Sequence, residues 1–203
     1  MRRNSSMTCY QLLGVAVLMT ALLGAAPGQA QTINIPVINP QFTADTLPCS
    51  PGSNCNQYGI SGWVTGPQTY ILKAGPSQYP SAPSGGLYVA ALGTGSATGS
   101  IYQQLGATVQ ANTTYEVKIS VGARADNVFT GYEAALLAGG VSLASNDHSI
   151  PVGGTFVTDV ILYNSGATPA QLGQPLQVFI KSKGTGQTNI ADISVSSAPT
   201  TSE

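Results

Sequence analysis

Apolar and polar residues alternate along most of the chain after residue 31, in short runs separated by Gly, Pro, Ser and Asn. Period-two alternation sends successive side chains to opposite faces of a strand. The cleanest example is 114–122, where Tyr115, Val117, Ile119 and Val121 alternate with Glu116, Lys118 and Ser120. That pattern predicts an antiparallel strand with one face buried. Ile33, Ile35 and Val37 predict a strand over 33–38, and two short strands follow at 58–64 and 69–73. Further strands are predicted at 87–92, 100–105, 131–138, 141–144, 155–163, 175–182 and 188–196. In the last, Ile193 and Val195 alternate with Asp192 and Ser194. Residues 74–86 hold three prolines and three glycines and read as loop. About nine or ten short strands, no helix in the mature chain and no fixed repeat predict an all-β sandwich or barrel.

The N-terminus differs from the rest. Arg2 and Arg3 precede an apolar run from Leu12 to Leu23, and a small-residue stretch ends at Gly28-Gln29-Ala30. This is the layout of a cleavable signal peptide over residues 1–30. The run is shorter than the roughly 20 residues that span a bilayer. Residues 31–196 then form one domain, followed by a disordered tail over 197–203. The expected location is outside the cell or on the exterior of its envelope, with the periplasm as the alternative. No membrane span is expected after cleavage.

Charge narrows the partners. The mature chain carries Lys73, Lys118, Arg124, Lys181 and Lys183 as its cations, scattered among eight acids. No basic patch can be assembled from them, which argues against nucleic acid and anionic membranes. Cys49 and Cys55 flank Ser-Pro-Gly-Ser-Asn, and export makes a disulfide between them the expected state. Two cysteines without a nearby His make a poor zinc site.

Several short motifs occur in a familiar order. Asn39-Pro40-Gln41-Phe42 is followed by Gly62-Trp63, Gln103-Gln104-Leu105, Asn112-Thr113-Thr114-Tyr115, Val121-Gly122-Ala123-Arg124 and Ala138-Gly139-Gly140. The set, closed by the 187–195 strand, resembles exported bacterial jelly-roll domains of the galactose-binding-like, carbohydrate-binding-module type. The resemblance spans nearly the whole mature chain and implies an antiparallel jelly-roll β-sandwich. It also implies a structural Ca²⁺ near Asn39 and Asp192. Thr43 and Ala191 stand where the family pattern has acids, which leaves a weak calcium site of one carboxylate. No other cofactor is expected.

No catalytic constellation stands out. His148 lies in a polar loop, no Gly-x-Ser-x-Gly elbow is present, and Glu116 and Glu133 sit on predicted outer strand faces. Sugar binding, by contrast, needs aromatic faces and a few polar groups. Tyr70 and Tyr79 flank the proline-rich loop, and Arg124, Asp126 and Tyr132 surround the 123–131 turn. These five are the expected ligand-binding residues, unless Arg124 and Asp126 pair and merely order the loop. The reading is a secreted, noncatalytic carbohydrate-binding domain for polysaccharide or cell-surface glycan. The alternative is a structural or adhesive envelope protein that self-associates.

Overall fold

The structure, a computed structural model, describes residues 31–53, 55–93 and 97–200. The expected signal peptide and residues 201–203 lie outside the described residues. Twelve strands form two sheets, every ladder is antiparallel, and no helix occurs among the described residues. The expected all-β sandwich is therefore the observed architecture, with a few more and shorter strands than the alternation predicts.

One sheet has seven strands. Its order is β10 (Thr155–Asn164), β7 (Thr113–Ala123), β12 (Thr188–Pro199), β5 (Leu87–Leu92), β4 (Thr69–Ala74) and β2 (Asn56–Tyr58). β1 (Ile33–Ile35) also pairs with β12. The other sheet runs β3 (Val64–Thr65), β6 (Ser100–Thr108), β11 (Pro175–Ser182), β8 (Tyr132–Ala138) and β9 (Val141–Asn146). β12 extends to Pro199, whose partner is Thr113. Residues 197–199, expected in a tail, thus complete the ladder with β7.

The alternation dictates what lies between the sheets. Tyr115, Val117, Ile119 and Val121 from β7 face Ala134 and Leu136 of β8 and Val178 and Ile180 of β11 across one continuous core. Each fully buried Ile or Leu contributes about 1.5–3 kcal/mol. Tyr115 is sealed yet polar at its tip. Its hydroxyl accepts from Gln110 N at 2.7 Å and donates to Thr108 O at 3.2 Å, closing the β6–β7 connection.

A second cluster lies on the outer face of the seven-stranded sheet. Loop 75–86 folds back over it, so Tyr70, Leu72, Val89 and Ala91 are buried on that side too. This explains why β5 reads as an unbroken apolar run: both of its faces are covered.

Replacing Ile119 by Ala should lower unfolding free energy by about 2–5 kcal/mol, because the rigid sandwich cannot collapse around the cavity. Urea unfolding followed by circular dichroism checks this. A loss below about 1 kcal/mol would mean that the β7 side chains are not packed as described.

Candidate active site

β12 has two edges. β7 occupies one from Asn189 to Pro199. The other is shared: β5 pairs with Thr188, Asn189 and Ile190, and β1 pairs with Val195, Ser196 and Ser197. Between them, residues 191–194 have no strand on that edge. The ladder to β7 also shifts register between Ile190 and Asp192, a β-bulge. A bulge sets two residues against one and re-aims a side chain, and bulges gather beside active sites.

A strained turn enters the gap. Ile193 N donates to Pro40 O at 3.2 Å, joining the chain after β1 to the open edge. Asn39 and Phe42 both adopt left-handed backbone, with φ of 48° and 58°. That region costs a non-glycine residue about 1–2 kcal/mol. Phe42 is fully buried and packs on Trp63 with ring centroids 5.8 Å apart, which offsets the strain. The Asn39 side chain accepts from Ala44 N at 3.0 Å and donates to Ser61 O at 2.9 Å. Trp63 Nε1 donates to Asn39 O. Gln103 clamps the same corner, accepting from Ile38 N and donating to Ile38 O and Gly62 O.

The result is a cavity of about 360 Å³ between the start of β5 and the uncovered stretch of β12. Gln41 and Thr43 come from the turn, Leu87 and Tyr88 from β5, and Ala191 and Asp192 from the bulge. Asp192 is exposed, and the described residues form no hydrogen bond or ion pair with its carboxylate. Two other cavities lack this feature. One of about 470 Å³, beside Ile33, Ala107 and Pro199, has no carboxylate in its wall. In the other, of about 340 Å³, Asp147 is already paired with Lys183. A free acid at the mouth of a small, partly apolar cavity can exchange a proton with a bound molecule.

The expected ligand-binding residues fall elsewhere, in two groups. Tyr70, Tyr79, Arg124 and Asp126 come together farther along the outer face, under or beside loop 75–86. Arg124 grips Asp126 through Nε at 2.8 Å and Nη2 at 2.7 Å, and its Nη1 donates to Gln187 Oε1. Gln187 Nε2 in turn donates to the Tyr70 hydroxyl, and Asn189 Nδ2 donates to the Tyr79 hydroxyl at 2.8 Å. Tyr79 is fully buried and stacks on Phe156 at 4.3 Å. Burial pushes the Tyr70 and Tyr79 hydroxyls above the usual tyrosine range. Tyr132 is separate, sealed in the core, with its hydroxyl accepting from Ser149 N. It stands beside Asp159, and burial is the largest cause of its raised pKa. Neither Tyr79 nor Tyr132 has an exposed ring face on which a sugar could stack. Cys49 and Cys55 are joined, with Cα atoms 5.5 Å apart.

Calcium fits this corner poorly. Both polar atoms of the Asn39 side chain are committed to the turn, and no three His, Cys, Asp or Glu side chains converge among the described residues. Asp192 would be the one carboxylate of such a site, well short of what Ca²⁺ prefers.

A family model described as HpiC1-like, "HpiC1 cyclase", matches residues 33–196. The fold is similar to that of a Stig cyclase, Fisc, from Fischerella sp. TAU in complex with (3Z)-3-(1-methyl-2-pyrrolidinylidene)-3H-indole. That chain is 20% identical with a TM-score of 0.71, the alignment covering 84% of this chain and 100% of that one. A cyclase from Fischerella sp. TAU in complex with 4-(1H-indol-3-yl)butan-2-one aligns with a TM-score of 0.71 at 21% identity, over 84% of this chain and all of the other. No curated protein matches.

These findings overturn the expected kinship with galactose-binding-like carbohydrate modules. They overturn the noncatalytic reading as well, since the family is one of cyclases, which are enzymes. The expected polysaccharide or glycan partner and the structural, self-associating alternative fall with it. The physical reason is that the motifs behind the resemblance describe a frame. Asn39–Phe42, Gly62-Trp63 and Gln103 stitch one corner of a sandwich, and such a corner serves many functions.

No catalytic residue was expected from the sequence: Asp192 was expected only as a weak calcium ligand, and Tyr88, Gln41 and Thr43 were given no site role. One signal for Asp192 was present: Ile190 and Ile193 both face the core three positions apart, which regular alternation forbids. The Arg124–Asp126 pair also has a measurable consequence. The guanidinium beside Asp126 holds its carboxyl below the usual range. A depressed folded-state pKa stabilises the fold above the unfolded value, about 3.9, and this stabilisation fades as pH falls through the folded value. Urea midpoints compared at about pH 6 and pH 3 should therefore fall less in Asp126→Asn than in the wild type. Equal falls in the two proteins would remove Asp126 from the acid sensitivity.

Proposed function

Because the chain belongs to the HpiC1-like cyclase family, we propose that it is a cyclase that closes a ring in a small, largely apolar molecule at the β5–β12 cavity. The observation that carries this assignment is Asp192, a carboxylate without a protein partner, set on a bulge beside a cavity of about 360 Å³. A volume in this range suits a molecule of small-ligand size. Indole-bearing compounds are the class to test first, because two of the similar cyclases are described in complex with them.

The chemistry asked of the site is proton transfer. The Asp192 carboxyl donates a proton to an unsaturated carbon or nitrogen of the substrate and leaves a cationic electrophile. An internal carbon–carbon double bond or aromatic ring attacks it, a new ring bond forms, and a proton leaves the resulting cation. The carboxylate takes that proton back, so no atom is gained or lost. Leu87 and Ala191 give the cavity an apolar wall, and Gln41 and Thr43 offer hydrogen bonds at its rim. A wall of this kind holds a folded conformer and excludes water that would trap the cation. The Cys49–Cys55 disulfide supports an exported enzyme working in an oxidising compartment.

Incubation of the protein with indole-bearing substrates that carry a pendant alkene, followed by chromatography and mass spectrometry, tests the assignment. The expected product has the substrate's mass and a new retention time. Asp192→Asn should slow its formation by about 10²–10⁴-fold, the usual worth of a general acid or base. Its stability should change by less than about 0.5 kcal/mol, since the side chain is exposed. Undiminished turnover in that variant would move the acid to another residue.

A further inference from the structure

Lys73 lies at the centre of a set of contacts that the proposed proton transfer does not use. It sits on β4 directly across from Tyr88 of β5. Its ammonium stands 5.9 Å from the centroid of the Tyr88 ring. It forms no ion pair with a carboxylate among the described residues. Instead Nζ donates to Leu47 O at 3.4 Å and Cys49 O at 3.3 Å. Leu47 N in turn donates to the Tyr88 hydroxyl at 3.2 Å. The Lys73 backbone is held by the same loop: its N–H donates to Cys55 O at 2.9 Å, and its carbonyl accepts from Gly52 N at 3.0 Å.

The cavity wall leans on this assembly twice. Tyr88 lines the cavity, and so does Gly86. Gly86 has φ of +87°, and a Cβ there would fall 2.8 Å from Lys73 Cγ and 2.9 Å from Pro51 Cγ. The glycine is what lets the wall close onto the lysine stem and the disulfide loop together. Cys49 and Cys55 bound that loop and are six residues apart. Without the bond, the carbonyls that face Lys73 lose their fixed spacing.

We propose that Lys73 is a positioning residue for the Tyr88 wall of the cavity, and that the Cys49–Cys55 disulfide holds it in place, so that ligand binding depends on the redox state of that bond. The inference rests on the reading of this cavity as the substrate site. Reduction by a phosphine converts the disulfide to two thiols, with the phosphine oxidised to its oxide by water. The two protons on the sulfurs come from that water.

Two readouts test it on the full chain. The first is the fluorine resonance of Tyr88 in protein labelled with 3-fluorotyrosine, assigned by its loss in Tyr88→Phe. It should shift on reduction and in Lys73→Met, and stay near the wild-type position in Lys73→Arg. The second is calorimetric binding of 4-(1H-indol-3-yl)butan-2-one. Affinity should fall by about tenfold or more on reduction and in Lys73→Met, as expected when a wall moves by a fraction of an ångström, with Lys73→Arg recovering most of it. An unmoved Tyr88 resonance under both treatments overturns the brace, whatever the ligand does. A moved resonance with unchanged affinity overturns its role in binding. If the resonance moves but the oxidised wild type does not bind the probe, the brace stands and the assignment of the cavity fails.

Discussion

β12 can offer only one edge to β5 and β1, and neither strand covers residues 191–194. That geometric limit shapes the rest of the site. A continuous ladder would have buried the backbone there and left no cavity. The bulge between Ile190 and Asp192 keeps Ile193 and Val195 directed into the core while Asp192 faces out. The Pro40 carbonyl then satisfies the Ile193 amide, which would otherwise remain unpaired at the break. The turn that brings Pro40 there is strained at Asn39 and Phe42, and it persists because Phe42, Trp63 and Gln103 over-determine it. Strain held in this way is typical of functional positions.

Two parts of the outer sheet face are used differently. Under loop 75–86, Arg124, Gln187, Asn189 and two tyrosines are hydrogen-bonded in a network that leaves the buried Asn189 Oδ1 without a partner, and Phe156 and Tyr79 stack over Gly122. A Cβ on Gly122 would fall 2.3 Å from the Phe156 ring. A polar network of this kind fixes a loop to a sheet. Beside the loop's last residue, at the bulge, a carboxylate is left with nothing to bind. The contrast comes from loop coverage, since both parts belong to the same strands.

Most of the fold could be read from alternation. Tyr115, Val117, Ile119 and Val121 are all core, and the strands expected at 87–92, 155–163 and 175–182 lie within a residue or so of those observed. The disulfide was readable too, because Cys49 and Cys55 are the two cysteines left once residues 1–30 are read as a signal peptide. The site was much less legible. Gln41, Tyr88 and Asp192 are far apart in sequence, and a single long-range hydrogen bond to Pro40 brings the turn to the bulge. Tyr79 read as an exposed aromatic on a proline-rich loop. Local bonds from Gln78 and Tyr79 amides to the Gly75 carbonyl instead curl that loop inward and bury the ring. The order of short motifs identified a sandwich corner correctly and its function incorrectly, since packing residues carry little information about ligands.

Low charge is what allows Asp192 to remain unpaired. A surface dense in lysine would place a cation near any exposed carboxylate. Here Lys118, the cation on the neighbouring strand, lies opposite Ser194 rather than Asp192 and is already engaged with Glu116 at 2.7 Å. Lys181 and Lys183 are bound to Glu133 and Asp147. Arg124 is held by Asp126, and Lys73 is turned toward backbone carbonyls. Each of the five Lys and Arg side chains among the described residues therefore has a partner, and none of those partners is Asp192. A neutral, hydroxyl-rich surface suggests sugar recognition when composition is considered alone. With the geometry known, the same composition has a different consequence: it leaves the Asp192 carboxylate beside the cavity without a cation to pair with.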